Sequence, residues 1–326
     1  MIVITGAAGF IGSNFVATLN EMGVSQIAIC DFFETGEKWR NLAKAAFVDV
    51  IPPALLLDWL RRQNTVQAVI HMAAISATTA TDGDLVMDTN FRLSVALLDH
   101  CAAANIPLMF ASSASVYGNG DGGFDDDISC AGVLNLRPLN LYGWSKRQFD
   151  YVVADRIERG AALPPTCVGL RFFNVFGPNE YHKQEMMSIV AKIADPISRG
   201  ESITLFKSHR DGVADGDQRR DFVYVKDAVE AAMSLLKSGQ TGIFNVGTGV
   251  ARSFRELAEA TFAAYGRPPQ IEYVDMPAGM QPKYQYFTEA KIGRLRASGY
   301  QTPFAPLEVS VAAYVEGYLG REDRYR

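Results

Sequence analysis

The feature that most restricts the fold is a glycine-rich turn near the start of the chain. An apolar, β-branched run over Ile2–Thr5 leads into Gly6, Gly9 and Gly12. An amphipathic stretch follows over Ile11–Glu21. Glycines at this spacing let the backbone turn tightly and let an anion approach the first turn of a helix, whose N–H groups carry partial positive charge. The order strand, glycine turn, helix therefore predicts a dinucleotide-binding α/β unit.

Further apolar runs alternate with amphipathic segments through the first half of the chain. The predicted buried strands after the first are Gln26–Asp31, Ala68–Ala73, Leu108–Ser112 and Thr166–Phe173. The predicted helices among them are Leu55–Gln63, Phe91–Ala104 and Tyr142–Gly160. Strands that alternate with helices favour a doubly wound parallel sheet of the Rossmann type.

The second half of the chain is less regular. A helix is predicted over Glu185–Ser198 and a polar loop over His209–Gln218. A strand at Asp221–Val225, a helix at Asp227–Leu236 and a strand at Gly242–Val246 then look like a return to the sheet. We therefore expect a dinucleotide-binding domain over 1–175, with 221–247 returning to it, and a smaller interleaved substrate-binding α/β region over 176–220 and 248–326.

Composition argues against several classes of protein. A formal net charge of -5 disfavours a nucleic-acid-binding surface. The apolar run at the N-terminus is too short for a signal peptide or a membrane span. The four cysteines are irregularly spaced, which fits neither a zinc site nor a disulfide framework. We expect a cytoplasmic protein with reduced thiols, no metal site, and neither a nucleic-acid nor a membrane partner.

The end of the second predicted strand bears on the choice of dinucleotide. Asp31 stands about 20 residues beyond the glycines, where a carboxylate accepts hydrogen bonds from an adenosine ribose, and this favours NAD. Lys38 and Arg40 follow on the next loop and could offset the charge of a 2′-phosphate. These residues by themselves leave NAD and NADP open.

Two residues at helical spacing predict proton-transfer chemistry. Tyr142 and Lys146 are four positions apart, hence on the same face of a helix. The cation is expected to lower the tyrosine pKa from its free value of about 10 toward that of a general base. The pair follows a strand that ends in hydroxyl residues around Ser113, and carboxyl ends of parallel strands are where ligands bind.

Seven motifs, in order along nearly the whole chain, carry a resemblance to a known family. They are the glycine turn at Gly6, Gly9 and Gly12, then His71–Ala74, Asn90, Ser113–Gly118, Tyr142–Lys146, Arg171–Pro178 and Arg220–Val225. With these motifs the chain resembles the extended short-chain dehydrogenase/reductase family. More specific segments are similar to those of family members that epimerise a nucleotide-linked heptose. These are Asn174–Lys183, Leu205–Phe206, Gly242–Gly249 and Tyr284–Thr288.

The resemblance implies an enzyme that inverts C6 of the heptose in an ADP-linked sugar through transient oxidation by bound NADP, with NAD as the alternative. It implies that Tyr142 and Lys183 are acid/base groups on opposite sides of the sugar carbon. Lys146 would then hold the nicotinamide ribose, and Ser113 would hydrogen-bond the reacting oxygen. A nucleotide-sugar substrate and a homo-oligomer are also implied.

The resemblance assigns the remaining candidate residues to two sides of the site. Together with Tyr142, Lys146 and Lys183, the cofactor side takes Gly6, Gly9, Phe10, Ile11, Gly12, Asp31, Phe32, Lys38, Met72, Ala73, Ala74, Ile75, Ser76, Asn90 and Val175. The substrate side takes Ser113, Asn174, Glu185, Lys192, Phe206, Lys207, Ser208, His209, Arg220 and Tyr284.

Other functions on the same fold stay open. A UDP-sugar 4-epimerase or a nucleotide-sugar reductase would use Tyr142 and Lys146 without requiring Lys183. A 4,6-dehydratase is disfavoured, because eliminating water needs an acid beside Ser113 and the next two residues are an alanine and a serine. A non-catalytic cofactor-sensing protein is the alternative from another class, and the intact catalytic residues argue against it.

Overall fold

The computed structural model describes residues 1–281 and 284–326. Its strands are β1 (Ile2–Thr5), β2 (Ile27–Cys30), β3 (Asp49–Ile51), β4 (Ala68–His71), β5 (Leu108–Ser113), β6 (Cys167–Phe172), β7 (Asn174–Phe176), β8 (Ile203–Phe206), β9 (Arg219–Tyr224), β10 (Thr241–Val246), β11 (Ala251–Ser253) and β12 (Ile271–Val274). Its α-helices are α1 (Phe10–Glu21), α2 (Leu56–Arg61), α3 (Gly83–Met87), α4 (Leu93–Ala103), α5 (Cys130–Asn135), α6 (Leu141–Arg159), α7 (Ile189–Ser198), α8 (Val225–Lys237), α9 (Phe254–Ala264), α10 (Gly293–Ala297) and α11 (Leu307–Tyr314). Shorter helical turns include Glu37–Leu42, Asp88–Arg92 and Tyr181–Met186.

A seven-stranded parallel sheet forms the centre of the molecule, in the order β3-β2-β1-β4-β5-β6-β10. Most of its strands are apolar and buried along their length, as parallel strands covered on both faces must be. Strand order reverses between β1 and β4, and such a switch point opens a crevice at the carboxyl ends of the strands. The predicted doubly wound α/β fold is confirmed.

Helices cover the two faces of this sheet. On one face, α1 and α8 bury apolar stripes that include Phe15, Val16 and Val229. On the other face, α2, α4 and α6 bury Leu60 and Phe149, among others. Helix α6 thus packs directly on the sheet through Phe149 and Val153.

A smaller region follows the carboxyl end of β6. Strands β11, β9 and β7 form a three-stranded sheet, and β12 pairs with β8 in parallel. Helices α7, α9 and α11 pack around these strands through Phe176, Leu257 and Tyr314. The turn Tyr181–Met186 and the loop after β8 also belong to this region.

Two element predictions are wrong. The strand at Asp221–Val225 does not rejoin the main sheet, because β9 pairs with β7 and β11, and only α8 and β10 make the return. The helix predicted from Glu185 begins at Ile189, because the Ser188 side chain caps it by accepting the Ala191 N–H. The other strands and helices predicted from the sequence are confirmed to within a few residues, whereas β3, β7, β8, β11 and β12 are too short or too polar to stand out in the pattern.

The described residues also bear on cysteine chemistry and metals. All four cysteines are free thiols. No three His, Cys, Asp or Glu side chains within 1–281 and 284–326 form a group suited to a metal ion. In the same part of the chain, no helix combines the length and apolarity that a membrane crossing requires.

Candidate active site

The glycine turn is shaped by close backbone contacts. Gly6 has a φ of +66°, and a Cβ there would lie 2.5 Å from the Ala73 nitrogen. A Cβ on Gly12 would collide with the Gly6 carbonyl oxygen. The end of β1, the loop after β4 and the first turn of α1 therefore meet at one point where only glycine fits.

The N-terminus of α1 suits an anion. Gly9 precedes the helix without a side-chain cap, so the amides of Phe10, Ile11 and Gly12 have no acceptor within the helix. The first turn of α1 carries no acidic residue that would compete for them. These amides lie at the switch-point crevice, and they fit the pyrophosphate of a dinucleotide.

Asp31, just beyond the end of β2, is held by two donors. The Ala8 N–H donates to Oδ2 at 2.8 Å, and Lys38 Nζ donates to Oδ1 at 2.6 Å. Lys38 also donates to the Phe32 carbonyl at 2.9 Å, while the Phe32 side chain is 64% exposed. Arg40 pairs with a nearby glutamate instead. Of the two cations considered from the sequence, Lys38 is therefore the one beside Asp31.

Asn90 fastens the loop after β4 to helix α6. Its Oδ1 accepts the Ile75 N–H at 2.8 Å, and its Nδ2 donates to the Ile75 carbonyl and to Ser145 Oγ, both at 3.0 Å. Ser145 Oγ in turn donates to the Tyr142 carbonyl at 2.7 Å. Asn90 is fully buried and links the predicted cofactor loop Met72–Ser76 to α6 through these hydrogen bonds.

Helix α6 brings Tyr142 and Lys146 to the carboxyl end of β5, where Ser113 is the last residue. The helix approaches closely because Gly143 has no side chain; a Cβ there would lie 2.7 Å from the Ser115 carbonyl oxygen. Lys146 is only 2% exposed. The structure thus places Ser113, Tyr142 and Lys146 at the carboxyl end of β5.

Burial dominates the protonation of this group. It raises the pKa of the Tyr142 phenol above its usual value, and interaction with the Ser113 hydroxyl lowers it only in part. The prediction of a lowered phenol pKa is therefore wrong for the protein alone. The same burial lowers the pKa of Lys146 from 10.5 to about 8, with Asp150 acting in the opposite direction.

Lys183 reaches the crevice from a different segment. It lies in the turn Tyr181–Met186, and its Nζ is 5.0 Å from the ring centroid of Phe10 in the first turn of α1. Burial lowers the pKa of Lys183, while the carboxylate of Glu180 opposes that shift. Glu180 anchors the turn, because it accepts the backbone N–H of Ser188 at 2.5 Å and its hydroxyl at 2.7 Å.

A bridge between the glycine turn and the Lys183 segment was not predicted from the sequence. Asn41 Nδ2 donates to the Ala8 carbonyl at 2.8 Å and lies 3.1 Å from His182 Nδ1. Burial lowers the pKa of His182 to about 4, so the ring is neutral and its Nδ1 can accept. Asn41 and His182 are 141 positions apart, and no local pattern connects them.

Arg220 is a buried cation held between two rings. Its guanidinium carbon lies 5.2 Å from the Tyr284 centroid and 5.6 Å from that of Phe254. It donates to the carbonyl groups of Arg219 and Gln285. None of the carboxylates described lies within ion-pair distance of it, so its charge is available to an anionic ligand.

The predicted substrate loop Phe206–His209 lies near this cation. The His209 N–H donates to the Tyr286 hydroxyl at 2.7 Å, and the Tyr286 ring contacts that of Tyr284 edge to face at 5.6 Å. The Ser208 hydroxyl is bonded to the backbone of the same loop at 3.0 Å. The structure therefore brings Arg220, Tyr284 and this loop together.

The other predicted substrate residues are more exposed. Lys192 pairs with the side chain of Glu185 at 3.2 Å, and Lys207 pairs with an aspartate of a neighbouring loop at 3.3 Å. Asn174 is exposed at the start of β7, while the next residue, Val175, packs against the main core. Lys192 and Lys207 thus already have partners within the protein.

Known proteins match this chain along most of its length. The model of the NAD dependent epimerase/dehydratase family matches residues 2–247. A Fusobacterium nucleatum protein named ADP-L-glycero-D-manno-heptose-6-epimerase is 44% identical over 335 residues that cover 100% of both chains.

Solved structures agree with this match. The ADP-L-glycero-D-manno-heptose-6-epimerase of Helicobacter pylori superposes with a TM-score of 0.80 at 29% identity, covering 97% of this chain and 95% of that one. The UDP-glucose 4-epimerase of Thermus thermophilus, in complex with NAD, has a TM-score of 0.74 at 26% identity, covering 97% of each chain. Because the family model spans most of the sequence, and because the crevice has the glycine turn and the residues to use a nicotinamide dinucleotide, the chain is an enzyme of the NAD dependent epimerase/dehydratase family.

Proposed function

We propose that this enzyme inverts C6 of the heptose in an ADP-glycero-manno-heptose. The observation that carries the proposal is that Lys183 lies beside Phe10 in the first turn of α1, on a different segment from Tyr142. A simple oxidation needs one proton-transfer group, whereas inversion of an alcohol benefits from one on each side of the carbon. The end-to-end relative named for this activity supports the heptose as substrate. The reaction would supply a precursor of the lipopolysaccharide inner core.

The described residues fit a bound dinucleotide. The free amides of Phe10, Ile11 and Gly12 would hold its pyrophosphate, Asp31 its adenosine ribose and Lys146 its nicotinamide ribose. When bound, the nicotinamide supplies a reversible acceptor for the carbinol hydride, so that the sugar carbon becomes planar.

The protein's own task is proton transfer at the sugar oxygen. A planar ketone has two faces, so a sugar that turns in the site can be returned to the opposite configuration. Tyr142, assisted by the Ser113 hydroxyl, would move the proton in one orientation, and Lys183 would do so in the other. Burial lowers the pKa of Lys183, which brings this amine closer to the range of a working base. Burial raises the pKa of Tyr142, and its hydrogen bond with Ser113 lowers it in part. We infer that the Lys146 ammonium, one turn away on α6, favours the phenolate further.

Arg220 would bind the pyrophosphate of the nucleotide sugar. A guanidinium between two aromatic rings is fixed in orientation, and its buried charge has no carboxylate partner among the residues described. The loop Phe206–His209 and the Tyr284 ring would enclose the same end of the substrate.

We propose NADP as the cofactor. Lys38 supports this choice, because it puts an ammonium beside Asp31 where a 2′-phosphate would otherwise meet only the carboxylate. The NAD bound in the Thermus thermophilus structure supports the alternative. Denaturing the purified protein and identifying the released dinucleotide by mass spectrometry tests the choice, and NAD alone would contradict it.

We also propose a homo-oligomer, together with the domain division expected from the sequence. Val48, Val50 and Leu55 are exposed apolar residues beside the edge strand β3, and a contact between subunits would cover them. Light scattering on the purified protein tests this, and a monomer at micromolar concentration would contradict it. The boundaries 1–175 with 221–247, and 176–220 with 248–326, stay a prediction, apart from β9 (Arg219–Tyr224), which pairs with β7 and β11 and not with the main sheet.

The reaction is tested by following ADP-heptose by NMR with purified protein in D₂O. We expect inversion at C6 without deuterium incorporation there, because the hydride returns from within the site. Tyr142→Phe and Lys183→Met should each slow the reaction by roughly 10²- to 10⁴-fold. Tyr151→Phe, farther along α6, is the matched control and should leave the rate unchanged. Inversion at C4 of a UDP-hexose instead would favour the 4-epimerase alternative.

A further inference from the structure

A buried ion pair begins one helical turn from the proposed cofactor lysine. Lys146 and Asp150 are one turn apart on the same face of α6, and they are 2% and 0% exposed. Asp150 Oδ2 accepts a hydrogen bond at 2.9 Å from Nε of Arg171, which lies on β6 and is also 0% exposed. Three ionisable side chains are thus buried on α6 and β6, and the direct ion pair among them is that between Asp150 and Arg171.

Arg171 is fixed on the side away from Lys146. Its Nη1 donates to the Tyr117 hydroxyl at 3.0 Å, and that hydroxyl donates to Asn245 Oδ1 at 2.7 Å. The guanidinium carbon also lies 5.1 Å from the Tyr117 ring centroid. Burial raises the pKa of Tyr117 to about 12, so the phenol stays neutral and does not replace the carboxylate as counterion.

The contact between Asp150 and Arg171 is incomplete. An arginine and a carboxylate that only neutralise each other commonly form two parallel hydrogen bonds. Here Asp150 Oδ1 and Arg171 Nη2 are both buried without a hydrogen-bond partner in the described part of the chain, as is Ser112 Oγ nearby. Half of the Asp150 carboxylate is therefore not engaged by Arg171.

Few charges face Lys146. Tyr142 and Asp150 lie on its own helix, His71 lies at the end of β4, and Arg171 on β6 lies beyond Asp150. Burial and the positive charge of Lys146 lower the pKa of His71 to about 3, so this imidazole is neutral. Among the residues described, Asp150 is thus the acidic side chain one turn from Lys146 on α6, and its charge raises the pKa of Lys146. Burial raises the pKa of Asp150 itself, and Arg171 opposes that shift.

We propose that Asp150 is a positioning residue whose carboxylate keeps Lys146 protonated, and that Arg171 limits how much negative charge Lys146 experiences. The inference rests on the proposed function in one respect, namely that Lys146 works as an ammonium beside Tyr142. Its specific consequence concerns the midpoint of the Lys146 titration. Removing the charge of Asp150 lowers this midpoint, whereas removing the charge of Arg171 raises it. An ion pair that does not act on Lys146 would leave the midpoint of its titration unchanged in both variants.

The test is a pH titration of Lys146 in the full-length protein labelled with ¹³C-lysine. The Cε resonance of Lys146 is assigned by its absence in Lys146→Arg. We expect Asp150→Asn to lower the midpoint by about one to two pH units and Arg171→Met to raise it by a similar amount. Asp155→Asn is the matched control, because Asp155 is also on α6 but pairs outward with Arg159, and it should leave the midpoint unchanged.

Loss of one partner leaves a buried charge unpaired, which can prevent folding. If the single variants do not fold, the double variant Asp150→Asn with Arg171→Met removes both charges. Its Lys146 midpoint should still fall below that of the wild type, because Asp150 faces Lys146 and Arg171 lies beyond it. A midpoint that stays unchanged or rises in the double variant overturns the proposal, as do single variants that shift the midpoint in the same direction.

The rate of C6 inversion separates this inference from the proposed function. If Lys146 must be cationic, the alkaline limb of the rate profile should move with its NMR midpoint in each variant. If the wild type does not invert ADP-heptose, the proposed function fails, while opposite shifts of the Lys146 midpoint would still establish the role of Asp150.

Discussion

Replacing Gly6 by alanine tests whether the glycine turn aligns the cofactor loop. Two penalties apply to the new methyl group. The φ of +66° puts alanine in the left-handed region, at a cost of about 1–2 kcal/mol. The Cβ would also lie 2.5 Å from the Ala73 nitrogen and 2.7 Å from the Met72 carbonyl carbon, so the loop after β4 must move. Overpacking of this kind costs about 1–3 kcal/mol, and the total is then roughly 2–5 kcal/mol.

That total is a large part of the free energy of unfolding of a typical domain, which is about 5–15 kcal/mol. Urea unfolding measures the loss, and the dinucleotide retained per subunit after desalting measures the displacement of the loop. The matched control is Gly160→Ala, because Gly160 has a φ of +60° and a Cβ there would meet nothing within 4 Å. Gly160→Ala should lose only the part of the free energy of unfolding that is due to the left-handed φ, and it should retain the dinucleotide.

Equal losses of stability in the two variants would refute this reasoning, because the steric contact with the loop would then contribute nothing. Full dinucleotide retention in Gly6→Ala would refute the link between the glycine turn and the loop after β4.

Three further outcomes are expected. Lys146→Met should raise the free energy of unfolding by about 3 kcal/mol near pH 7, because folding lowers the lysine pKa from 10.5 to about 8. The unfolded chain binds the proton more firmly, so this gain should vanish as the pH rises from 8 to 10.5 in urea titrations; a gain independent of pH would contradict it. Asn41→Ala removes the donor to His182 and should reduce kcat about tenfold. Asn20→Ala is the control, because it breaks a comparable backbone bridge far from the crevice; it should lose similar stability and leave kcat unchanged. Arg220→Met should raise KM for the nucleotide sugar roughly tenfold or more, with a smaller effect on kcat, in steady-state kinetics. An unchanged KM would show that Arg220 does not bind the pyrophosphate.

Several parts of the site could be predicted because their geometry is local. The three glycines at Gly6, Gly9 and Gly12 specify a tight turn from their spacing, and helical periodicity puts Tyr142 and Lys146 on one face wherever α6 lies. The alternation of strands and helices likewise predicts a doubly wound sheet. Such a sheet brings the carboxyl ends of β1, β4 and β5 to one edge.

The sign of the Tyr142 pKa shift could not be predicted in the same way. Spacing places an ammonium one turn away, and this suggests a lowered pKa. The tertiary structure buries Lys146 and encloses much of Tyr142, and desolvation of the phenolate then raises the pKa of Tyr142. Burial depends on what packs over a residue, and local spacing does not reveal it.

What the amino-acid sequence alone determines is therefore the turn, the helix face and the order of the elements, because each depends on residues a few positions apart. The contacts between Asn41 and His182, and between Asp150 and Arg171, join segments that only folding brings together. The tertiary structure decides those contacts, because the free energy of a buried charge or hydrogen bond depends on all the neighbours that exclude water from it.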